Sequence, residues 1–216
     1  RHNTYGIGGP ADVFVMPQTE DQLKQVLRRA DELHIPVTVI GGGSNSLISD
    51  RGIRGITLCT ARMKSSTVRN GNQIIVTGGA GTGAVSRFAM KEGLSGLEFA
   101  AGIPGTLLGA VFMNANGYGS KFANVVHSVR TVTRDGRQEK HYTLEEIQYG
   151  DSDSVFMHNG DIVLEVVFDL KEGNPEEIKA VMDEYQASRR AKQPLEKRSA
   201  GTMFLRPPGH YVCLLY

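Results

Sequence analysis

The sequence holds few of the residues that form cross-links and metal sites. Only two cysteines occur in 216 residues, Cys59 and Cys213, and no CxxC motif is present. The six histidines form no HxH or HxxxH pair. Two widely separated cysteines are typical of free thiols in a reducing compartment rather than of a disulfide framework. We therefore predict no metal site and a cytoplasmic location.

The chain also lacks a surplus of charge and a long apolar segment. Its 24 basic and 23 acidic residues give a net charge of +1, and no dense block of Lys and Arg occurs. No long-range field would therefore attract nucleic acid or an anionic membrane. No apolar run is long enough to cross a bilayer, and Arg1-His2 does not begin a signal peptide. We expect no nucleic-acid partner, no membrane partner and no obligate protein partner.

Glycine is abundant, with 26 residues that cluster between positions 41 and 119. The first cluster follows the β-branched run Val37–Ile40 and consists of Gly41, Gly42, Gly43, Ser44, Asn45 and Ser46. Residues without Cβ let a ligand approach the backbone, and consecutive exposed N–H groups form a concave site that suits a phosphate or pyrophosphate. A tight turn without a ligand is the alternative for this stretch taken alone.

A βαβ unit surrounds this glycine turn in the sequence. Ala11–Met16 is typical of a short strand, and Thr19 is a candidate N-cap for a helix that Pro36 ends. The glycine turn then lies at the carboxyl end of the Val37–Ile40 strand, where ligands of α/β folds usually bind. Two further short strands are predicted, at Ser46–Ile48 and Gly55–Leu58.

A loose dinucleotide fingerprint occurs in the next block. The predicted strand Gln73–Thr77 precedes Gly79-x-Gly81-x-x-Ala84, and Glu98 follows at the appropriate distance. A helix is predicted over Ala84–Glu92, with Gly93 at its C′ position. The alternative is a strand–turn–helix connection in which small residues serve packing alone. The residues by themselves leave both interpretations open.

A second glycine-rich stretch, GIPGTLLGAVFMNANGYG, covers Gly102–Gly119. Thr106 could cap a helix over Leu107–Met113 and direct its hydroxyl at a ligand. Glycines on both flanks of a short helix favour a loop that contacts a ligand over a purely structural element. Polar side chains lie close by in sequence at Asn114, Asn116 and Tyr118.

The remaining segments predict an antiparallel sheet and a C-terminal helix. The sheet strands are predicted at Val125–Arg134, Arg137–Tyr142 and Asp161–Leu170, with a turn at Asp135-Gly136 between the first two. Thr143–Glu146 is typical of a capped helical turn. Pro175–Lys192 is an amphipathic helix whose apolar face carries Ile178, Met182 and Tyr185.

Four segments follow one another in a fixed order: NTYGIGGPADVFVMP, VIGGGSNSLISDRGIRG, GLEFAAGIPGTLLGAVFMNANGYG and SRRAKQPLEKRSAGTMFLRPPGHY. Together they resemble the UDP-N-acetylenolpyruvoylglucosamine reductases (MurB), flavoenzymes of peptidoglycan precursor synthesis. The match extends to about Tyr211. Each motif alone is moderately specific, and four in register make the resemblance strong.

The resemblance implies an α+β fold of the vanillyl-alcohol-oxidase or PCMH flavoprotein type. FAD would lie between two subdomains, residues 1–66 and 67–171, and residues 172–216 would begin a third subdomain that covers the substrate. The implied cofactors are FAD and, as reductant, NADPH, and the implied substrate is a UDP-sugar. The Rossmann interpretation of Gly79–Ala84 is disfavoured, because the family binds its dinucleotide elsewhere.

The family's functional residues carry over onto matching positions. Gly41–Asn45 would hold the FAD pyrophosphate. Further cofactor contacts are implied for Ser46, Gly102, Ile103, Pro104, Gly105, Thr106, Gly109 and Val163. Substrate contacts are implied for Asn114, Tyr118, Tyr149 and Arg206. In the family reaction NADPH reduces FAD, a hydride passes to the enolpyruvyl double bond, and an acid protonates the adjacent carbon; protein groups orient the substrate and stabilise the enolate-like charge.

The two candidate catalytic residues, Thr202 and Ser152, both depart from the family pattern. The family proton donor is a serine that closes an SAGS motif, and this sequence has SAGT with Thr202. The family arginine of a YRxS motif aligns with Ser152, so a bidentate cation is replaced next to the carboxylate of Asp151. A two-residue insertion would instead align Tyr149 with the family tyrosine, and Gly150 would then replace the arginine. NANGYG also stands in place of the usual NAGAYG.

The chain ends at HYVCLLY, before the family's substrate subdomain and its glutamate that assists protonation. We therefore expect either a fragment or a shortened, divergent relative. Three functions fit: the enolpyruvyl-sugar reductase, a flavoprotein of the same fold with another substrate, and a non-catalytic module that binds FAD or a nucleotide.

Overall fold

The computed structural model describes residues 2–201. Thr202, Arg206 and Cys213 therefore lie outside the described residues. The fold is α+β, as predicted. Its strands are β1 (Ala11–Val15), β2 (Val37–Ile40), β3 (Ile53–Cys59), β4 (Ser66–Asn70), β5 (Gln73–Thr77), β6 (Leu94–Ser95), β7 (Asn116–Gly117), β8 (Ser120–Lys121), β9 (Val126–Val132), β10 (Glu139–Thr143), β11 (Ile162–Asp169) and β12 (Lys171–Glu172). Its helices are α1 (Glu20–Glu32), α2 (Thr82–Lys91), α3 (Leu107–Phe112), α4 (Leu144–Ile147), α5 (Val155–Asn159) and α6 (Pro175–Lys192).

The first sheet is parallel and has three strands in the order β1-β3-β2. The strand–helix–strand prediction is confirmed, and Thr19 caps α1 by accepting a hydrogen bond of 3.2 Å from the N–H of Gln22. The two strands of that unit are not neighbours, however, because β3 inserts between them. A period-2 pattern predicts the existence of a strand but not which strand it pairs with.

The predicted strand at Ser46–Ile48 is wrong. These residues form a loop that pairs with no strand. The hydrogen bond nearby is made by the next residue, Ser49, whose carbonyl accepts from the N–H of Gly9 at 2.9 Å. The predicted strand at Gly55–Leu58 is confirmed within the longer β3. That strand already fills the position between β1 and β2, so the sheet offers the Ser46–Ile48 segment no neighbour there.

The second sheet is antiparallel and has five strands in the order β10-β9-β11-β5-β4. All three strands predicted between positions 125 and 170 are confirmed, with ends shifted by one or two residues. Gly136 has φ +73° in the β9–β10 connection, a conformation that glycine adopts without strain. Thr143 and Glu146 form the predicted capping box at the start of α4.

The Rossmann interpretation of Gly79–Ala84 is wrong. That motif requires a strand in a parallel sheet, whereas both neighbours of β5 run antiparallel to it. Glu98 begins a 3-10 helix, and its carboxylate accepts a bond of 2.8 Å from the N–H of Gly96 instead of ending a second parallel strand. The predicted helix itself is confirmed as α2, with Gly93 at φ +67° after its C-cap.

The main core lies between the second sheet and helices α2, α3 and α6. Its fully buried members include Leu107 and Val111 of α3 and Phe168 of β11. Ile178 and Met182 of α6 are buried as predicted, and each contributes about 1.5–3 kcal/mol by leaving water. A second core joins α1 and the first sheet to the second sheet through Val132, Ile162 and Leu164.

Charged residues tie α1 to the second sheet. The Arg130 guanidinium donates two bonds of 2.9 Å to the carboxylate of Glu20 and one of 3.1 Å to Glu139. The hydrogen bonds to Glu20 are the largest cause of the raised pKa of Arg130. Lys24 of α1 also pairs with Glu139. These bonds fix the orientation of the first sheet against the second, and so the relative positions of the loops that leave each sheet.

Candidate functional site

The two glycine-rich segments, distant in sequence, lie against each other. A Cβ on Gly42 would lie 2.9 Å from the Cα of Gly105, and a Cβ on Gly41 would overlap the hydroxyl of Thr106. Gly105 has φ +98°, and a Cβ there would lie 3.1 Å from the Oγ of Ser44. Side chains at these glycines would push the segments apart. We call this arrangement of Gly41–Ser44 with Gly105–Thr106 the glycine cradle.

The first wall of the glycine cradle presents unpaired donors. None of the backbone N–H groups from Gly42 to Asn45 has a hydrogen-bond acceptor among residues 2–201. Gly43 has φ +65°, which turns the chain so that successive N–H groups can converge. Such a concave set of donors binds the oxygens of a phosphate or pyrophosphate. The strand before it, β2, ends at this point because the following glycines favour a turn.

The second wall contributes a buried hydroxyl. Thr106 is 6 % exposed, and its Oγ1 has no hydrogen-bond partner among the described residues. Thr106 is the N-cap residue of α3, as predicted, but its side chain does not cap the helix. The hydroxyl instead lies against Gly41 and Gly109. A buried hydroxyl without a partner is costly, and a ligand oxygen in the cradle would satisfy it.

The loop before α2 supports the cradle from behind. The N–H of Thr82 donates to the carbonyl of Gly105 at 3.1 Å, and the N–H of Leu107 donates to the carbonyl of Ala80 at 2.8 Å. The Thr82 hydroxyl also donates to Gly105, at 3.3 Å. Sequence reasoning missed this role. The glycines around Ala80 allow another segment to come close to this backbone. In the structure that segment is the protein's own second glycine-rich stretch.

The N-terminal segment covers the other side of the glycine turn. The N–H of Thr4 donates to the carbonyl of Gly43 at 3.1 Å, and a Cβ on Gly43 would overlap the carbonyl oxygen of His2. Nothing in the local sequence pattern indicated this partner. The NTYGIGG stretch therefore belongs to the site.

The other residues predicted to contact the cofactor lie around the cradle and behind it. Gly102 ends the 3-10 helix Glu98–Gly102, and a Cβ on it would lie 3.2 Å from the Arg189 guanidinium. Ile103 is half-buried and Pro104 exposed. Gly109 lies in α3 against Thr106, whereas Val163 is buried in the main core. Contacts from these residues to a cofactor stay predictions.

The segment Tyr149–Ser154, which carries Ser152, is anchored to the opposite end of α3. The Asn114 amide donates to the carbonyl of Gly150 at 2.7 Å. The hydroxyls of Tyr149 and Ser154 donate to the carbonyls of Val111 and Phe112, at 3.0 and 2.7 Å. We call this segment the anchored turn. Its tip is Asp151-Ser152, and Ser152 adopts φ +57°.

The polar groups of the predicted substrate residues are largely used inside the protein. Asn114 is 1 % exposed and also accepts a bond of 3.0 Å from the N–H of Ala123. Burial raises the pKa of the Tyr149 phenol, which keeps it a neutral donor. Tyr118 stacks on Tyr185 with ring centroids 4.2 Å apart and donates to the Tyr185 carbonyl at 2.6 Å. Their substrate contacts stay predictions.

A histidine–carboxylate pair lies at the base of the anchored turn. The Nε2 of His158 is 2.9 Å from one carboxylate oxygen of Asp153. The hydrogen bond to His158 is the largest cause of the lowered pKa of Asp153. Asp153 also accepts from the N–H of Ser154 at 2.9 Å. The pair lies on the exposed side of the turn, away from its anchors on α3.

Residues 2–201 contain no cluster of three or more His, Cys, Asp or Glu side chains that could hold a metal ion. Within the same range, no helix is both long and apolar enough to cross a membrane. The buried Cys59 is a free thiol.

Comparison with known proteins agrees with the geometry of the cradle. A family model described as an FAD binding domain matches residues 11–141. The UDP-N-acetylenolpyruvoylglucosamine reductase of Geobacillus thermodenitrificans is 45% identical over 97% of this chain and 68% of its own length. That of Clostridioides difficile is 41% identical over 98% of this chain and 69% of its own length.

A solved structure has the same fold. The crystal structure of UDP-N-acetylenolpyruvylglucosamine reductase (MurB) from Thermus caldophilus matches with a TM-score of 0.78 and 32% identity, over 98% of this chain and 74% of the other. Both glycine segments of the cradle lie within the matched FAD binding domain. The chain belongs to the UDP-N-acetylenolpyruvoylglucosamine reductase family and carries an FAD-binding domain of that family.

Proposed function

We propose that this chain is an FAD-dependent, NADPH-using reductase that converts UDP-N-acetylenolpyruvoylglucosamine to UDP-N-acetylmuramate in peptidoglycan precursor synthesis. One observation carries this function. Gly41 and Gly42 lie so close to Gly105 and Thr106 that an added Cβ would collide, and the contact surrounds a buried hydroxyl and N–H groups that have no acceptor within residues 2–201. A flavin cofactor with a pyrophosphate is a ligand of the right chemistry for such a site.

Residues of the cradle would hold the cofactor through its phosphates. The N–H groups of Gly42–Asn45 would donate to the pyrophosphate, and the Thr106 hydroxyl would donate from the opposite wall. These donors are fixed by the fold, so they need no reorganisation when the anion binds. FAD, when bound, supplies hydride transfer between the nicotinamide and the enolpyruvyl double bond.

The substrate would react near the anchored turn. α3 has six residues and so spans about 9 Å, with the cradle at its N-terminal end and the turn at its C-terminal end. Ser152 at the tip would face the developing enolate with a hydroxyl in place of a guanidinium, a weaker donor to negative charge. Thr202, outside the described residues, is the proposed proton donor. Its hydroxyl retains the transferable proton, while its methyl group stiffens χ1.

The proposed function is tested with purified, FAD-loaded protein. A bound flavin absorbance spectrum and NADPH oxidation that depends on the enolpyruvyl sugar are the expected results. A colourless protein that takes up no FAD would rule out this function.

A flavoprotein with another substrate is the second candidate. The observation that favours it is the anchored turn, whose frame is fully hydrogen-bonded while its tip carries Asp151-Ser152 instead of a cation. A turn whose tip residues have changed while the hydrogen bonds that hold it persist would be expected if the substrate had changed. NADPH turnover that the enolpyruvyl sugar leaves unaffected would favour this candidate. A flavin that binds but is not reduced by NADPH would instead indicate a non-catalytic module.

Two further parts of the proposal concern organisation and location. We propose subdomains at residues 1–66 and 67–171, with residues 172–216 beginning a third. In support, the first sheet ends at Cys59 and the strands of the second sheet extend from Ser66 to Asp169. NADPH and a UDP-sugar as reactants favour a cytoplasmic location.

A further inference from the structure

A cavity of about 530 Å³ lies next to the glycine cradle, lined by Asn3, Thr4, Gly6 and Arg198. It adjoins Gly43, since Thr4 donates its N–H to the Gly43 carbonyl at 3.1 Å and a Cβ on Gly43 would lie 2.8 Å from the Cα of Asn3. The cavity is therefore separated by a single layer of residues, Asn3 and Thr4, from the turn Gly42–Asn45, whose N–H groups have no acceptor within residues 2–201.

The wall of the cavity is a firmly held loop. The side chain of Asn3 accepts a bond of 2.6 Å from the N–H of Gly6 and donates one of 2.9 Å to the carbonyl of Ile7. Gly6 has φ +67°, and a Cβ there would overlap the Arg198 guanidinium. A glycine at position 6 is thus what allows Arg198 to lie across the loop.

Within residues 2–201, Arg198 is a cation without a counterion. Its side chain forms no hydrogen bond or ion pair with any other residue in the range 2–201. The other three lining residues carry no carboxylate. A guanidinium offers five donors in a planar fork that matches the oxygens of a phosphate. The cavity therefore has the charge and the donors for a phosphate group.

We propose that Arg198 binds the diphosphate of the flavin cofactor and closes the glycine cradle on the side of the N-terminal loop. The inference rests on the proposed function, because it assumes that FAD occupies the cradle. The neutral N–H groups of Gly42–Asn45 would donate to the diphosphate from one side, and the charged guanidinium of Arg198 would donate to it from the other. Arg198 also stands four residues before Thr202, so the same contact ties cofactor binding to the segment that carries the proposed proton donor.

The test measures the dissociation constant of FAD by diluting the loaded protein and following the fluorescence of released flavin. Arg198→Gln is expected to raise this constant about tenfold or more, since it removes a charge-assisted hydrogen bond to the diphosphate. Arg198→Lys keeps the charge but not the fork and should give an intermediate value. Arg29→Gln, at an exposed arginine in the last turn of α1 that pairs with Glu32, is the matched control and should leave the constant unchanged.

Riboflavin and UDP separate the possible sources of the effect. Riboflavin has no phosphate, so its affinity should be the same in wild type and Arg198→Gln. An FAD constant unchanged by Arg198→Gln would overturn the inference, as would a variant that weakens only the binding of UDP to the FAD-loaded protein. Wild-type protein that binds no FAD would instead overturn the proposed function. Arg198 is exposed, so neither substitution removes packed core, and thermal unfolding of each variant checks this.

Discussion

The glycine cradle and the anchored turn occupy opposite ends of α3 and are built in opposite ways. The cradle consists of backbone that approaches backbone, and it exists because side chains are absent. The turn is held by three side chains, Asn114, Tyr149 and Ser154, each bonded to a backbone carbonyl. A backbone site tolerates almost no added atoms, whereas an anchored turn can change its tip residues while its frame persists. Asp151-Ser152, where the family resemblance implies a tyrosine and an arginine, forms such a tip.

The largest expected effect comes from adding one carbon to the cradle. In Gly42→Ala the new Cβ would lie 2.9 Å from the Gly105 Cα, so two backbone segments must separate. We expect the affinity for FAD to fall by roughly 100-fold or more, because the fixed donors move away from the phosphates. Flavin content after purification measures this. Gly117→Ala, whose Cβ would make an ordinary 3.6 Å contact, should retain its flavin.

The anchored turn should respond to a lost anchor through stability rather than cofactor affinity. Asn114→Ala removes two hydrogen bonds of a buried side chain and places alanine at φ +47°. We expect the free energy of unfolding to fall by about 2–4 kcal/mol. Denaturant unfolding measures this, with the exposed Asn116→Ala as control. An Asn114→Ala protein as stable as wild type would contradict the role of the anchor.

Changing the tip should alter chemistry without disturbing the frame. Ser152→Arg places at the tip the cation that the family resemblance implies there, and Ser152 already occupies a left-handed conformation, so the backbone cost is unchanged. We expect turnover of the enolpyruvyl sugar to rise about tenfold, since a charged donor stabilises the developing enolate. Steady-state kinetics of the purified, FAD-loaded protein with the enolpyruvyl sugar provide the measurement. Unchanged turnover would count against aligning Ser152 with the arginine.

The buried hydroxyl of Thr106 allows a test with a smaller expected effect, in which FAD affinity and protein stability should respond differently. Thr106→Val replaces the hydroxyl by a methyl group of similar size. Because Oγ1 has no partner among the described residues, stability without FAD should not fall, whereas FAD affinity should fall about 3- to 10-fold, the value of one neutral hydrogen bond. Thermal unfolding and flavin titration measure the two quantities. A loss of stability without a loss of affinity would show that the hydroxyl serves the protein alone.

The smallest effect concerns acid sensitivity of the anchored turn. The folded pKa of Asp153 is lowered from 3.8, with His158 as the largest cause. A lowered folded pKa gives stability that is present above pH 3.8 and lost as the pH falls through the folded value. Asp153→Asn should therefore lose slightly less stability between pH 5 and 3 than wild type does. The pair is exposed, so the difference should shrink in high salt.

Local sequence rules predicted most elements. The apolar spacing in α1 and α6, the N-cap at Thr19, the capping box at Thr143 and the β-branched run in β2 each depend on residues a few positions apart. Such signals survive without tertiary context. Ser46–Ile48 failed because a short alternating run becomes a strand only where a neighbour is available to pair with it.

The candidate site was only partly predictable for the same reason. Both glycine segments and their preference for a phosphate followed from the residues. The hydrogen bonds of Ala80 with Leu107, of Thr82 with Gly105 and of Thr4 with Gly43 join positions more than twenty residues apart. Nothing in a local pattern marks such partners. The fingerprint at Gly79–Ala84 misled because a strand–turn–helix with small residues has the same pattern whether its sheet is parallel or antiparallel.

The sequence by itself determined where backbone could be approached closely, which helices and strands form, and which family the chain resembles. Only the tertiary structure decided that β3 separates β1 from β2, that Gly42 meets Gly105, and that Arg198 lies over Gly6. Glycine content, apolar spacing and capping are properties of neighbouring residues. Pairing between distant segments depends on which surfaces remain to be buried after the local elements form, and the packing of the whole chain settles that.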